Sequence, residues 1–265
     1  MAAELGHSLA GRHALVTGAS AGIGRAAALA LAAKGCSVTA LARSGEKLKT
    51  LVAELKAAGA PEAFALIADL EAREGLRLKV EAHLAAHGPL HILVNNAGGP
   101  PGGPILQAEE GDFLRAFGRL LMAPHALVKL LLPGMQAAGY GRIINVISTS
   151  VREPLPNLGV SNTIRGATAA WAKTLAKELP PGITINNVLP GATATERLEA
   201  IEQATAAKTG KSLAEVKADM VRTIPEARVA DPRETAALIA FLASPDAAYL
   251  RGQSIAVDGG RMNAI

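Results

Sequence analysis

Short runs of strand-forming residues alternate with longer helical stretches along the whole chain, and this alternation restricts the fold more than any other feature. Residues 13–17 (HALVT), 37–41 (SVTAL), 63–69, 91–96, 142–148, 184–190 and 254–258 read as strands. Each is separated from the next by enough residues for a crossover helix, so consecutive strands are expected to run parallel. The expectation is an α/β fold, a doubly wound parallel sheet of about seven strands, forming a single domain over residues 1–265. With 49% apolar residues, a chain of this length can bury one large core. Two stretches break the rhythm, a Gly/Pro-rich loop at 98–104 and the segment 192–225. Both follow strand C-termini, the edge at which open α/β sheets bind ligands, so both are expected as walls of a site and 192–225 as a substrate lid.

Composition narrows the function classes. Residues 1–12 contain Glu4, His7 and Arg12 and lack the apolar run of a signal peptide, and no later segment reads as the roughly 18 apolar residues of a bilayer span. No membrane association is expected. The net charge of +4 comes from scattered lysines and arginines, and aromatics are only 3% of the chain, so a nucleic-acid platform is not expected either. Cys36 is the single cysteine, which excludes an internal disulfide and fits a reducing, cytoplasmic location. His83 and His87 lie four apart on a helix, but the neighbouring Lys79 and Glu81 make that face read as solvated rather than metal-binding. No metal site is expected.

The first βα turn carries chemistry. Thr17-Gly18-Ala19-Ser20-Ala21-Gly22-Ile23-Gly24 follows an apolar strand directly and opens a helix. Glycines let the backbone turn tightly and approach a pyrophosphate, while free N–H groups and the positive helix end face its charge. The same turn could be a purely structural one, and the features that follow favour the dinucleotide reading.

The spacing Gly-x-x-x-Gly-x-Gly resembles the short-chain dehydrogenase/reductase family. Further marks occur in the family's order. Asp69-Leu70 is similar to its adenine-contacting pair, and Asn95-Asn96-Ala97-Gly98 to its Asn-Asn-Ala-Gly box. Pro190-Gly191 with Thr193 and Thr195 resembles the segment that grips the nicotinamide amide, and 252–260 its C-terminal strand. The resemblance implies a Rossmann-type fold, a dinucleotide held by Gly18, Ser20, Ala21, Gly22, Ile23, Gly24, Asp69, Leu70, Asn96, Ala97, Gly98, Pro190, Gly191, Thr193 and Thr195, and a homotetramer paired through helices at 111–135 and 161–179.

The end of the second strand decides which dinucleotide. A carboxylate there would accept from a ribose 2′-hydroxyl and repel a 2′-phosphate, whereas arginine would pair with the phosphate. The sequence has Leu41-Ala42-Arg43-Ser44 and no acid, so NADP(H) is expected over NAD(H), with Arg43 as its anchor.

The resemblance fails at the catalytic residues. Most members carry a serine, a Tyr-x-x-x-Lys on the following helix and an asparagine on the preceding one. Aligning 142–148 with the family's fifth strand places Ser148 on the serine, Ser161 on the tyrosine, Arg165 on the lysine and Leu120 on the asparagine. An alkyl hydroxyl is a far weaker acid than a phenol, and a guanidinium stays charged above about 12. Loss of a positioned acid typically costs about 10²–10⁴ in rate, or roughly 3–6 kcal/mol. Ser148, Ser161 and Asn162 could still donate to a carbonyl oxygen, with Arg165 holding the cofactor ribose or an anionic substrate group. If that carbonyl is conjugated to a C=C, hydride adds at the far carbon and solvent protonates the enolate later, with no tyrosine. Residues 142–178 and 234–260 resemble a tyrosine-lacking branch that includes the bacilysin-pathway reductase, and sequences of this general kind are often 3-oxoacyl-carrier-protein reductases. His125 reads as a packing residue, with a second reading as an alternative proton donor. The function expected is NADPH-dependent reduction of a small-molecule carbonyl or enone; the rival is an NADP(H)-binding sensor without turnover.

Overall fold

The computed structural model describes residues 8–264. Residues 1–7, on which part of the signal-peptide argument rests, lie outside the described residues. The strands are β1 (His13–Thr17), β2 (Ser37–Ala42), β3 (Ala63–Ile67), β4 (Ile92–Asn95), β5 (Gly141–Val146), β6 (Ile183–Pro190) and β7 (Ser254–Val257). All run parallel in one sheet of order β3-β2-β1-β4-β5-β6-β7, the doubly wound arrangement expected from the rhythm of the sequence. The helices are α1 (Gly22–Ala32), α2 (Gly45–Ala57), α3 (Arg73–His87), α4 (Glu110–Phe117), α5 (Ala123–Ala137), α6 (Gly159–Glu178), α7 (Glu196–Thr209), α8 (Leu213–Arg222) and α9 (Pro232–Leu242).

Because successive strand side chains point to opposite faces, each strand feeds two cores. Ala14, Val16, Ala40, Val94 and Ile144 pack with Leu31 of α1, Leu51 of α2 and Ile239 of α9. Their alternates Leu15, Leu41, Leu93 and Ile143 pack with Val80 of α3, Leu131 of α5 and Ala172 of α6. The strand order steps outward from β1 to β3 and then resumes on the other side at β4, which leaves a crevice where β1 and β4 end. That crevice is stapled. The Thr17 hydroxyl donates to the Asn96 carbonyl at 2.8 Å and accepts from its N–H at 2.9 Å, while Asn96 Nδ2 donates to the Gly18 carbonyl at 3.3 Å.

A ladder of side-chain amides fixes the register beside it. Asn95 Nδ2 donates to Asn145 Oδ1 and Asn145 Nδ2 to Asn187 Oδ1, each at 2.9 Å, and Asn187 Nδ2 donates to Ser254 Oγ at 3.0 Å. These residues are direct neighbours across four strands. A slip of one residue would send every amide to the opposite face and leave buried donors unpaired, so the level at which these strands deliver their ends is strongly determined.

Two expectations need correction. His83 is not on a solvated face: it is buried, its Nε2 hydrogen-bonds Thr39 Oγ1 at 2.8 Å, and its ring packs edge-on against Phe64. Segment 192–225, where the strand-helix rhythm breaks, holds α7 and α8, the latter opened by a reciprocal Ser212–Glu215 cap. Helices α4 and α5 join through a π-helical turn at Gly118–Met122 into one rod, Glu110–Ala137, long and apolar enough to cross a membrane by length and composition. Here that rod lies on the sheet, with Leu127, Leu131 and Met135 in the core.

Candidate active site

At the crevice the strand ends open into a cleft of about 620 Å³. One end is the glycine-rich corner, where Gly18, Ser20, Ala21, Gly22 and Ile23 form the wall. Gly18 has φ +59°, and a methyl group on it would stand 2.6 Å from the Asn96 carbonyl oxygen. Gly24 does not line the cleft; a methyl group there would meet the Gly18 carbonyl at 2.3 Å, so its smallness lets α1 close on the strand end. The N-terminus of α1 has no side-chain cap and no acid in its first turn. Its free N–H groups and dipole therefore face the cleft without a counter-charge, a cradle suited to the phosphates of a dinucleotide.

The wall continues with Arg43, Asp69 and Leu70, with Ser44 and Lys47 beside Arg43. Arg43 is exposed and forms no ion pair among the described residues. Asp69 Oδ1 accepts from the Glu71 N–H at 3.0 Å, which turns the chain away from the end of β3. Ala97 and Gly98 form the floor beyond Asn96, and Pro190, Gly191, Thr193 and Thr195 close the cleft from the end of β6. Thr195 caps α7 through its side chain and sits over Gly22, 3.0 Å from where a methyl group would be.

Ser148, Ser161 and Arg165 also line the cleft. Beyond β5, the Ser148 hydroxyl accepts from the Ser150 N–H at 3.1 Å and so caps a short 3-10 turn. Ser161 and Arg165 are one turn apart on α6, and Arg165 Nε donates to Ser161 Oγ at 3.2 Å. Arg165 Nη1 donates to the carbonyls of Val146 and Ile147 at 3.1 and 2.7 Å, which ties the helix to the end of β5. Burial, then the charges of Arg197 and Arg119, pull the Arg165 pKa down to about 10, so the group stays cationic at neutral pH. Leu120 lies in the π-helical turn with its carbonyl accepting from Thr168 Oγ1 at 3.2 Å. Behind Arg165 is a pocket of about 20 Å³, the size of one water molecule, bordered by Asn95 and Arg119. Asn95 Oδ1 and Arg119 Nε have no protein partner.

Two candidates are not brought to the cleft. Asn162 does not line it, and its Nδ2 is spent on the Leu155 carbonyl at 2.8 Å. His125 stands 6.2 Å from the Trp171 ring, ring centre to ring centre, in a packing position. Sequence reasoning missed Arg197, Arg119, Leu158 and Ile201, all on the wall. For Arg197 a signal existed, because a cation in the first turn of a helix opposes the dipole and calls for a reason.

A parallel sheet of this order with a glycine corner at its switch point and this cleft defines a dehydrogenase fold, and the chain belongs to the short chain dehydrogenase family, which it matches over residues 12–206. Among its relatives, the NADPH-dependent reductase BacG of Bacillus subtilis is 32% identical over 260 residues, spanning 96% of this chain and 99% of that one. The 3-oxoacyl-(acyl-carrier-protein) reductase FabG of Vibrio cholerae is 34% identical, spanning 96% and 98%. The crystal structure of YwfH, an NADPH-dependent reductase involved in bacilysin biosynthesis, superposes with a TM-score of 0.90 at 30% identity, covering 96% of this chain and 99% of that one.

Proposed function

We propose that the chain is an NADPH-dependent reductase of a small-molecule carbonyl or conjugated enone, with Ser161 and Arg165 where most family members carry tyrosine and lysine. The observation that carries this reading is the state of two hydroxyls. Ser148 Oγ accepts from the Ser150 N–H and Ser161 Oγ from Arg165 Nε, so each oxygen is held by a donor while its own O–H remains free to donate. Two such donors lining one cleft can hold a carbonyl oxygen and stabilise charge that gathers on it. The guanidinium strengthens Ser161 as a donor by bonding its oxygen.

NADPH fits the uncapped helix start and the glycine corner, and Arg43, Ser44 and Lys47, with no acid at the end of β2, fit its 2′-phosphate. Bound there, it supplies the hydride. Arg165 holds either the ribose or an anionic group of the substrate, and Thr193 and Thr195 orient the nicotinamide amide. Neither serine is acidic enough to deliver a proton at neutral pH, which favours an enone: the held oxygen carries the enolate charge and water protonates carbon later. Segment 192–225 serves as the lid, with Arg197 and Ile201 over the substrate end. The exposed Leu114 and Phe117 on the rod that ends in α5 support pairing of subunits there into a homotetramer, which light scattering tests.

The same buried guanidinium, tied to two carbonyls and a serine, leaves no side chain at these positions to deliver a proton, and this favours the rival reading of a sensor that binds NADPH without turnover. NADPH oxidation with a panel of ketones and enones separates the two. Turnover of enones with kcat lowered roughly 10²–10³-fold in Ser148→Ala supports the reductase. Tight NADPH binding with no turnover of any compound supports the sensor. Gain of ketone reduction in Ser161→Tyr with Arg165→Lys supports the positional assignment.

A further inference from the structure

Two guanidiniums gather over Gly99 at the substrate end of the cleft. A methyl group on Gly99 would lie 3.5 Å from Arg165 Nη2 and 3.7 Å from Arg197 Nη2, so both amino groups border the same point. Arg165 comes from α6 and Arg197 from α7, and neither forms an ion pair among the described residues. The protein occupies Nε and Nη1 of Arg165 but gives Nη2 no acceptor. Arg197 spends Nη2 on the Pro100 carbonyl and keeps Nε and Nη1.

The acids of the cleft are committed elsewhere. Glu71 pairs with Arg119 at 3.1 Å, Glu196 pairs with Lys47 at 3.2 Å, and Asp69 holds the Glu71 N–H. All three serve the adenosine side or the outer edge of α7. The substrate end therefore holds two positive charges facing one space with no counter-charge, beside the Ser161 hydroxyl and in the same cleft as Ser148. Burial and neighbouring arginines push the pKa values of both guanidiniums down, the mark of cations held against desolvation and mutual repulsion. Two planar forks with free N–H groups match the two oxygens of a carboxylate. Leu158 and Ile201 supply apolar wall for the carbon chain between.

We propose that the substrate carries a carboxylate besides its reducible group, and that Arg197 together with Nη2 of Arg165 receives it while Ser148 and Ser161 hold the carbonyl oxygen. Arg197 is then a specificity-determining residue: an uncharged ketone or enone leaves the pair unanswered. This rests on the reading of the cleft as an NADPH-dependent reductase site.

The test is calorimetry on the NADP⁺-loaded protein with trans-4-oxo-2-pentenoate and its methyl ester. The acid is expected to bind about tenfold tighter or more than the ester. Arg197→Met should bring acid and ester within about twofold of each other, and Arg197→Lys should restore part of the preference. The NADPH affinity of Arg197→Met should stay within about twofold of the parent. Equal affinities for acid and ester in the parent protein, or no measurable binding of either, overturn the proposal and leave the reductase reading standing. So does an Arg197→Met variant that loses NADPH affinity as strongly as acid affinity, which would assign the residue to the cofactor phosphates. Failure of the parent protein to bind NADPH at all would instead remove the reading on which the proposal rests.

Discussion

At the strand N-termini, Arg142 is buried with its Nε and Nη1 spent on the carbonyls of Gly141, Gly182 and Ser244, and the guanidiniums of Arg142 and Arg12 stand over the Tyr140 ring, 4.2 and 3.9 Å from its centre. At the strand C-termini, Arg165 is also buried with Nε and Nη1 bonded, but its remaining amino group borders the cleft beside Gly99, and the serine it grips keeps a free O–H. The same residue type thus does opposite things at the two rims of one sheet. A buried cation costs free energy wherever it lies, and three carbonyls together with the face of the Tyr140 ring offset that cost at the lower rim. At the upper rim the open donor faces a cleft, where a ligand can use it. Substitutions at the lower rim should therefore move stability alone, and those at the upper rim should move binding.

The largest effect is expected from a pair of glycines with the same backbone angle. Gly18 at the upper rim and Gly139 at the lower both have φ +59°, but a methyl group on Gly139 meets nothing within 4 Å, whereas on Gly18 it strikes the Asn96 carbonyl. Gly139→Ala should cost only the left-handed penalty, about 1 kcal/mol. Gly18→Ala adds overpacking, for a total of roughly 3 kcal/mol and a Tm lower by roughly 5–10 °C. It should also weaken NADPH binding more than about tenfold, because the cradle moves. Thermal melts and calorimetry check both; equal losses in the two variants would break the contrast.

Tyr140→Leu comes next. It removes the ring over which two guanidiniums stand and the hydroxyl that donates to the Ala243 carbonyl, at a cost of roughly 2 kcal/mol. NADPH affinity should not change. A variant that lost affinity along with stability would mean the rims are coupled through the sheet, and the division of labour would fail.

The upper rim was the more legible of the two in the sequence, for a physical reason. Tight approach admits only glycine, so Gly18, Gly22 and Gly24 announce a corner, and the alternating β1 to β7 patterns announce where the strands end. What chain-local reasoning could not see depends on partners supplied by distant segments. His83 has helix-surface neighbours at 79 and 81, but its partners Thr39 and Phe64 come from β2 and β3. Arg197 faces Gly99 and the Pro100 carbonyl nearly a hundred positions earlier in the chain, an encounter no local pattern encodes. Asn162 beside Ser161 suggested a donor to substrate, yet the helix turns its amide toward Leu155.

The smallest effect is a pH dependence confined to the lower rim. His13 and His83 share the Thr39 hydroxyl, each ring nitrogen 2.8 Å from it, and burial, followed by the charges of neighbouring histidines, pulls both pKa values down to about 4 from 6.5. Both are neutral when folded at neutral pH. As pH falls below 6.5 the unfolded chain takes up protons that the folded protein refuses until about 4, so stability present in full above 6.5 is lost across that window. Because the rings are not wholly screened from water, the combined loss by pH 5 is on the order of 1–2 kcal/mol. The carboxylates with depressed pKa values, such as Asp231 and Glu234, lose their contribution at lower pH, toward about 2, so the histidine window can be read first. Urea unfolding at pH 7 and pH 5 measures the loss, and His83→Gln should roughly halve it. NADPH affinity, governed by the upper rim, should not follow the histidines, and a parallel fall in both over this window would show that the two ends of the sheet respond together.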